Sequence, residues 1–425
     1  MNVLYTAAHS GFDLSRVPLG GGAAVCQHLA SVWAETRPFA LRVIGPEQLP
    51  GARPVDADLV RFSEMEYARF CRAFERKSTE LIFRESPHQT VVLCNDVSEG
   101  PDFRSLAAAG YALFTIYHVD VVDYISRVYL HSLVKPSWLS LSYAALEIIG
   151  GERLLPDVFK LIVQKQQDSV RYSRGLIVPS AAMKDVLMRC YPDVDPAKIH
   201  VLPWGIWKTS VDGEEVTRER ERLRRELALP DSAPVLLTLS RISPEKGQDR
   251  LLKALALWES SGDYPDEGVV LLVAGEAAYM QGRRFEKKLR RLAARLRRTR
   301  VHFVGYASGA RKQALFETAD LYVFPSRHES YGLTLLEAMQ AGLPALACDD
   351  HGTRDLMIPG VGTMLPPASE RDIPRLMRRA LAKLLSDSGR LQMMGNAAQA
   401  WAGRQSFPET AARLADLLKA SAVAR

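Results

Sequence analysis

The feature that most constrains the fold is a regular alternation of short, β-branched apolar runs with longer amphipathic segments. Helical patterns such as Ala23–Glu35 and Glu64–Phe83 separate the apolar runs. This alternation predicts a parallel sheet that is covered by helices on both faces. In the first half, the runs predicted as strands are Val3–Thr6, Leu41–Ile44, Thr90–Cys94, Ala112–Tyr117, Gly175–Val178 and His200–Leu202.

The same alternation restarts after a charged stretch at 208–234 that closes with Pro. We interpret this stretch as an interdomain linker running into a charged helix. The sequence therefore predicts an α/β protein with two Rossmann-like, doubly wound domains, 1–207 and 208–405, facing each other across a cleft. A C-terminal helix at about 406–425 is expected to pack back on the first domain. The second set of predicted strands is Val235–Ser240, Val269–Ala274, Val301–Val304, Leu321–Phe324, Ala345–Ala347 and Thr363–Leu365.

Composition narrows the class of protein. The 425 residues are 47% hydrophobic and 24% charged, as in ordinary globular domains. A net charge of +6 suits anionic ligands or an anionic membrane surface, and no nucleic-acid reader motif accompanies it. The five scattered cysteines form no C-x-x-C pair, which indicates free thiols in a reducing compartment. With neither a signal peptide nor a membrane span in the sequence, we expect a cytoplasmic protein.

The segment LSRISPEKGQDRLLKAL, Leu239 to Leu255, places two cations just beyond a predicted strand. Arg241 and Lys246 share one loop that leads through Gly247 into a helix. Two cations ahead of a helix N-terminus can neutralise a diphosphate and the charge that grows on it as it departs. The alternative is a charged loop on the surface.

The segment HESYGLTLLEAMQAG carries two glutamates eight residues apart, Glu329 and Glu337. Glu329 is predicted in a loop after a buried strand, and Glu337 about one turn inside a helix that Gly332 opens. The amides of Gly332, Leu333 and Thr334 can hold an anion at that helix N-terminus. A carboxylate can accept the two vicinal hydroxyls of a sugar or a ribose. The alternative is an acidic residue favoured by the helix dipole and a second, solvated glutamate.

The first half offers two further candidates. Consecutive glycines that include Gly21 and Gly22 open a helix after the first strand and let a ligand approach the backbone. The dinucleotide fingerprint G-x-G-x-x-G is not met, because its last position is Val25. His118 follows a predicted strand directly and is a candidate for a site at the strand end. A flexible loop and a structural histidine are the alternatives.

Together these motifs resemble glycosyltransferase family 4, the group 1 enzymes that retain anomeric configuration and have the GT-B fold. The resemblance rests on S-R-x-x-x-x-K-G, on E-x7-E followed by A-M-Q-A-G-x-P, on the glycine-rich loop and on H-x-D at a strand end. It covers most of the chain, including VPSAAMKD, HVLPWGI, VAGE and VHFVGY. It implies transfer of a sugar from a nucleoside-diphosphate sugar to an acceptor hydroxyl.

The resemblance implies a role for each matching residue. Arg241 and Lys246 would bind the donor diphosphate and stabilise its leaving charge. Glu329 would position the donor sugar during front-face attack, and His118 would contact that sugar from the opposite domain. Glu337 would bind the ribose. Backbone amides at Gly332, Leu333 and Thr334 would reach the phosphates, Val304 and Tyr306 would border the base, and Gly21 and Gly22 would line the phosphate or acceptor side.

The implied partners are a nucleotide-sugar donor and a sugar, glycan, lipid-linked or small-molecule acceptor, with no cofactor and no metal. The two D-x-D triplets, Asp56/Asp58 and Asp193/Asp195, are interpreted as turn residues. Two other functions stay open: a GT-B phosphorylase or nucleotide-sugar epimerase, and a non-catalytic nucleotide-sugar-binding subunit. Peripheral contact with the inner face of a membrane also stays open.

Three segments depart from the family pattern or leave their role open. Asp350–Asp355 stands where many relatives have Gly-Gly and Glu, so the donor sugar is not fixed by the resemblance. The Tyr- and Leu-rich segment 121–150 is a candidate for acceptor contact or a buried helix pair. The cationic segment Gly282–Arg300 is predicted as a solvated helix whose inward stripe runs from Phe285 to Leu296; attachment to anionic lipid is the alternative.

Overall fold

A computed structural model of the chain describes residues 1–11, 20–49, 62–129, 134–148, 150–151, 155, 157–207 and 211–423. It divides into two compact units. The first comprises Met1–Gly205 and Phe407–Arg425, and the second comprises Ile206–Ser406. The sequence had placed this boundary after residue 207.

The first unit is built on a six-stranded parallel sheet with the order β2-β1-β3-β4-β5-β6. Every predicted strand of the first half is present, with ends shifted by at most one residue. The central strands β3 and β4 are buried along their whole length, as expected for a sheet covered on both faces. The strands are β1 Asn2–Thr6, β2 Ala40–Ile44, β3 Thr90–Cys94, β4 Ala112–Ile116, β5 Gly175–Val178 and β6 Ile199–Val201.

Helices of the first unit connect these strands, and the last helix of the chain joins them. Trp33 donates its indole N–H to the Ala411 carbonyl at 3.0 Å, and the Thr410 hydroxyl donates to the Pro203 carbonyl at 2.7 Å. The helices are α1 Gly21–Thr36, α2 Glu64–Ile82, α3 Phe103–Ala108, α4 Val121–Tyr124, α5 Pro136–Ile148, α6 Asp157–Tyr172, α7 Ala181–Cys190 and, at the C-terminus, α16 Phe407–Val423, with a π-helical turn at Ile125–Tyr129.

The second unit repeats the plan with the parallel order β12-β11-β10-β7-β8-β9. All six strands predicted for the second half are present. The α/β class with two doubly wound sheets is therefore confirmed. The strands are β7 Val235–Leu239, β8 Val269–Ala274, β9 Thr299–Gly305, β10 Leu321–Phe324, β11 Ala345–Cys348 and β12 Gly362–Leu365.

The cationic helix of the second unit ends earlier than its pattern predicted. It stops at Ala293, before Leu296, but the predicted inward stripe is confirmed because Phe285, Leu289, Leu292 and Leu296 all pack on the core. The Glu259 carboxylate accepts backbone N–H bonds from residues 297–299 at 2.7–3.0 Å, which holds the turn into β9. The helices of this unit are α8 Gly213–Glu226, α9 Gln248–Glu259, α10 Tyr279–Ala293, α11 Gly309–Thr318, α12 Leu333–Gln340, α13 His351–Arg354, α14 Ile373–Leu385 and α15 Ser388–Ala402.

The strand orders determine where a ligand can bind. In the first sheet the chain direction across the sheet reverses between β1 and β3, and in the second between β7 and β10. Ligands of doubly wound sheets bind beyond the carboxyl ends of the strands at such a reversal. The five cysteines are buried free thiols. Among the described helices, none is both long and apolar enough to cross a bilayer.

Candidate functional site

The loops that follow β7 and β10 meet at the reversal point of the second sheet. The Arg327 backbone N–H donates to the Glu245 carbonyl at 2.7 Å, which joins the two loops directly. Lys246 ends a short 3₁₀ turn, Pro244–Lys246, and its Nζ lies 2.7 Å from Glu329 Oε2. Their side chains are only 13% and 15% exposed. The structure therefore brings together Lys246 and Glu329, which the sequence had placed in separate motifs.

The charge of Glu329 is set by two opposing effects. Burial alone would raise the pKa of its carboxyl, but the adjacent Lys246 charge, with help from His328 and Arg241, holds that pKa below its ordinary value. Arg241 lies in the same loop as Lys246, and its guanidinium is 3.9 Å from Glu245. Glu329 is therefore a largely buried carboxylate that stays ionised near neutral pH.

The segment that follows β11 forms two hydrogen bonds with the backbone of Glu329. Asp350 accepts the Glu329 backbone N–H at 2.5 Å, and the Gly352 N–H donates to the Glu329 carbonyl at 2.8 Å. The sequence had noted Asp350 only as a departure from a family pattern. Its place just beyond a buried strand was the available signal, since strand-end polar residues converge at one edge of a parallel sheet.

An ion-pair network under these loops holds them in register. Arg250, which is 8% exposed, donates to two carbonyls of the β10 loop at 3.0 and 3.1 Å and pairs with Glu370. Arg327 lies 2.8 Å from both Asp249 and Glu370. Burial would raise the pKa of Asp249, but Arg327 and Lys288 lower it strongly. Because the arginines are bound to carboxylates from other elements, both loops have little freedom.

The start of α12 presents free backbone amides. Gly332 precedes the helix with φ of +96°, and no side chain caps the helix there. The N–H groups of Leu333 and Thr334 therefore have no partner within the helix. The Thr334 hydroxyl lies 2.9 Å from the hydroxyl of Tyr322, which fixes its side chain against β10.

Glu337 contacts a residue that the sequence did not single out. Its Oε1 lies 2.7 Å from Nζ of Lys312 on α11, and the side chains are 19% and 27% exposed. The two glutamates of the motif therefore form ion pairs with different lysines, Glu329 with Lys246 and Glu337 with Lys312.

The remaining candidates of the second unit lie farther along the sheet. Val304 is in β9 and Tyr306 follows it directly. The Gly275 N–H donates to the Gly305 carbonyl at 2.7 Å and ties the ends of β8 and β9 together. Because β8 and β7 lie between β9 and β10 in the sheet, this segment is separate from the Glu329 loop.

In the first unit, three strand ends bring His118 and the glycine loop together. His118 follows β4, and its Nε2 lies 3.2 Å from the side-chain oxygen of Asn95, which follows β3. That oxygen also accepts the Tyr5 hydroxyl at 2.6 Å. Gly22 is in α1 just beyond Gly21, and a Cβ on Gly22 would lie 3.0 Å from the His118 ring. The glycine thus leaves room for the imidazole at close approach.

The His118 environment favours the neutral imidazole. Burial lowers the pKa of His118 to about 4, although the charge of Asp96 opposes that shift. Asp96 itself lies 3.2 Å from His9 Nδ1 and accepts from the Asn95 amide at 3.1 Å. The sequence analysis missed His9, Asn95 and Asp96, although the last two directly follow a predicted strand.

The segment 121–150 contains an outward apolar face. Trp138, Leu141 and Ile148 of α5 are 63%, 54% and 86% exposed, whereas Tyr143 on the other side is buried. The interpretation of this segment as a buried helix pair is therefore wrong for that face.

The described residues contain no group of three or more His, Cys, Asp or Glu side chains arranged to hold a metal ion. Of the two D-x-D triplets, Asp56/Asp58 lies outside the described residues. Asp195 accepts the Ala197 N–H at 2.9 Å at the start of a 3₁₀ turn, as predicted for a turn residue.

Solved structures share the fold at low identity. Sucrose-phosphate synthase from Thermosynechococcus elongatus matches with a TM-score of 0.67 and 18% identity over 100% of both chains. Anabaena HepE in complex with UDP-glucose matches with a TM-score of 0.61 and 17% identity, over 99% of this chain and 100% of that one. These structures confirm the predicted GT-B fold class.

Curated proteins of similar sequence match part of this chain. A D-inositol 3-phosphate glycosyltransferase from Salinispora tropica is 31% identical over 275 residues, 64% of this chain and 55% of that protein. An alpha-monoglucosyldiacylglycerol synthase from Streptococcus pneumoniae is 28% identical over 240 residues, 56% of this chain and 45% of that protein. The chain thus spans about half the length of the curated relatives it matches. Residues 219–401 match the family model of the glycosyl transferases group 1, the family that the sequence motifs resemble.

Proposed function

We propose that this protein is a retaining glycosyltransferase that moves a sugar from a nucleoside-diphosphate sugar to an acceptor hydroxyl. The observation that carries the proposal is the largely buried Lys246–Glu329 pair at 2.7 Å, formed where the strand order of the second sheet reverses. It lies within residues 219–401, the region that matches the group 1 family. A cation and a carboxylate so placed suit a ligand that has a diphosphate next to a hydroxylated ring.

The donor phosphates are assigned to cations and amides without a metal ion. Arg241 and Lys246 provide two positive charges in one loop, and the N–H groups of Leu333 and Thr334 provide uncapped donors at the start of α12. Helix N-termini and fixed cations stabilise phosphate charge by the same electrostatics that a divalent ion would supply. As the sugar leaves, these groups stabilise the growing negative charge on the diphosphate.

In the proposed reaction, the acceptor oxygen bonds to the anomeric carbon on the face from which the diphosphate departs. The bond between that carbon and the phosphate oxygen breaks, and its electron pair stays with the diphosphate. The departing phosphate oxygen takes the acceptor proton, so the products are a glycoside and a nucleoside diphosphate. Glu329, ionised through Lys246, positions the sugar hydroxyls and stabilises positive charge at the reacting ring.

Other candidate residues receive binding roles in the same proposal. Glu337 accepts the ribose hydroxyls, and the backbone at Val304 and Tyr306 borders the base. His118, a neutral imidazole, hydrogen-bonds a hydroxyl of the donor sugar. Gly21 and Gly22 leave their backbone accessible to the phosphate or the acceptor.

A donor screen tests the proposal first. UDP-, GDP- and ADP-sugars are added separately to the purified protein, beginning with UDP-glucose because Anabaena HepE was solved with it. A bound donor raises the melting temperature, since a ligand of the folded state adds RT ln(1 + [L]/Kd) to its stability. No shift with any donor would remove the assignment as a nucleotide-sugar enzyme.

Transfer is then measured with the donor that binds. Glu329→Ala is expected to lower turnover by about 10²–10³-fold while the far-UV circular dichroism stays unchanged. Glu286→Ala is the matched control, because in the described part of the chain this glutamate pairs with Arg290 of the same helix, α10, away from the candidate site. Product configuration by NMR decides retention, and an inverted product would contradict it.

A further inference from the structure

Lys312 makes a contact in the candidate site that neither the motifs nor the family roles anticipated. Its Nζ lies 2.7 Å from Glu337 Oε1. The two residues are 25 positions apart in sequence, and their ion pair joins helix α11 to helix α12. Among the described residues, the Glu337 carboxylate has no other hydrogen-bond partner. One carboxylate oxygen is thus held by a cation, and the other is available to a ligand.

An exposed lysine–glutamate pair usually contributes little to stability and leaves both side chains mobile. This pair differs because both side chains are about three-quarters covered or more, at 27% and 19% exposure. Lys312 is also one turn inside α11, where its backbone N–H donates to the Ser308 carbonyl at 3.2 Å. Its stem therefore starts from a rigid element, and the pair limits the rotamers that Glu337 can adopt.

The position of the pair matches the ribose end of the proposed donor. Lys246 pairs with the first glutamate of the motif, next to the phosphate-binding loop, whereas Lys312 pairs with the second. The α11 helix begins just after the Val304–Tyr306 segment assigned to the base. Lys312 thus reaches Glu337 from the side of the base, where a ribose would lie.

We infer that Lys312 is a specificity-determining positioning residue, which holds Glu337 so that its second oxygen accepts the ribose 2′-hydroxyl and selects ribonucleotides over 2′-deoxyribonucleotides. This inference rests on the proposed function, because Glu337 is assigned there to the ribose. A hydrogen bond to a charged acceptor is strong only when the acceptor is held in place before binding. Without Lys312, Glu337 would still be present but would have to be ordered by the ligand.

The test compares the affinities of a ribonucleotide and its 2′-deoxy form. The probes are UDP, GDP and ADP, of which the tightest binder is carried forward with its 2′-deoxy counterpart in titration calorimetry. Wild type is expected to prefer the ribonucleotide by about 10–100-fold. Glu337→Gln should bring the two affinities within about threefold, and Lys312→Met should reduce the preference by roughly 3–10-fold. Lys312→Arg should restore most of it.

Arg311→Met is the matched control. Arg311 is the neighbouring residue on α11, is 29% exposed and pairs with Glu219 and Glu226 of α8, so its loss removes a similar ion pair away from Glu337. The Arg311→Met variant should prefer the ribonucleotide over the 2′-deoxyribonucleotide as strongly as wild type does. A lysine that merely joined two helices would change the melting temperature of the free protein and leave the preference intact.

The outcomes separate the inference from the function on which it rests. If Glu337→Gln keeps the wild-type preference, the ribose assignment in the proposed function is wrong. If Glu337→Gln loses the preference and Lys312→Met keeps it, the role of Lys312 is overturned and the ribose assignment stands. Should Lys312→Met not fold, Lys312→Gln replaces it, with the same two readings.

Discussion

His118 of the first unit and Glu329 of the second are both largely covered titratable groups just beyond the end of a parallel strand, yet their charge states are opposite. Removal from water is the largest effect on each and favours the neutral form of each. The pKa of His118 falls to about 4, so the imidazole is neutral at pH 7. The pKa of Glu329 is below its ordinary value, so the carboxyl is charged.

The charge states of His118 and Glu329 differ because their nearest hydrogen-bond partners differ. Glu329 has an ammonium group at 2.7 Å, and direct pairing outweighs the cost of burial. His118 has the neutral Asn95 amide at 3.2 Å, and the nearby Asp96 carboxylate is shared with His9. A charge that acts through an intervening neutral group is too weak to protonate a buried imidazole. One unit thus offers a neutral hydrogen-bonding group, and the other offers fixed charges.

Removing the partner of Glu329 should have the largest effect. Lys246→Met takes away the counter-charge of a buried carboxylate and one of the two cations assigned to the diphosphate. We expect kcat/KM to fall by about 10²–10³-fold. The acid limb of the pH–rate profile should also move to higher pH, because burial without a cation raises the pKa of Glu329. Both are measured in steady-state transfer assays from pH 5 to pH 9.

Lys312→Met is the comparison for that experiment, since it breaks a pair of the same length at the second glutamate. It should raise the donor KM several-fold and leave kcat and the acid limb unchanged, the pattern of lost ground-state binding. A Lys246→Met enzyme with the wild-type acid limb would show that Lys246 does not control the charge of Glu329.

The neutral state of His118 should appear as a pH dependence of stability. The folded pKa is about 4 and the ordinary value is 6.5, so between these values only the unfolded chain binds the proton. The free energy of unfolding should therefore decrease as the pH falls from 6.5 towards 4, by about 2 kcal/mol at pH 5. Urea titrations at pH 7.5 and pH 5 measure the difference.

His118→Asn isolates this contribution, because it removes the titrating group and keeps a polar side chain. The variant should lose about 2 kcal/mol less than wild type between pH 7.5 and pH 5. His9→Asn is the contrasting variant, because it removes the partner of Asp96 at 3.2 Å and leaves the His118 imidazole in place. Equal pH dependence in His118→Asn and wild type would mean that His118 is protonated in the folded protein or titrates normally.

The sequence predicts the features that depend on local interactions, but not those that depend on contacts between distant elements. Apolar runs determine strands locally, and β3, β5, β8 and β10 have the predicted ends. Parallel strands end at one edge of a sheet, which is why the sequence alone predicts that Arg241, Lys246 and Glu329 lie in one site.

Contacts between distant elements could not be predicted in the same way. Lys312 of α11 meets Glu337 of α12 across 25 positions of sequence, and no local pattern marks that lysine. The carboxylate of Asp350 holds the Glu329 amide through a loop geometry that composition does not encode. The charge state of His118 likewise depends on burial, which its neighbours in sequence do not reveal.

The smallest of these effects comes from the backbone that supports Glu329. A Cβ on Gly352 would lie 2.2 Å from the Tyr331 nitrogen and 2.4 Å from the Ser330 carbonyl carbon, so Gly352→Ala must displace this loop. The displacement weakens the 2.8 Å bond from the Gly352 N–H to the Glu329 carbonyl. We expect a loss of about 1–2 kcal/mol in the free energy of unfolding and a roughly tenfold decrease in kcat.

Gly213→Ala is the control for this last prediction, because a Cβ at that helix start meets no atom within 4 Å. It should leave both stability and turnover close to wild type. In Gly352→Ala, nucleoside-diphosphate affinity should fall less than kcat, because the contact between Lys312 and Glu337 does not involve the displaced loop. Loss of nucleotide affinity equal to the loss of kcat would mean that the two glutamates form one coupled unit. Normal turnover in Gly352→Ala would show that the position of the Glu329 backbone does not limit the reaction.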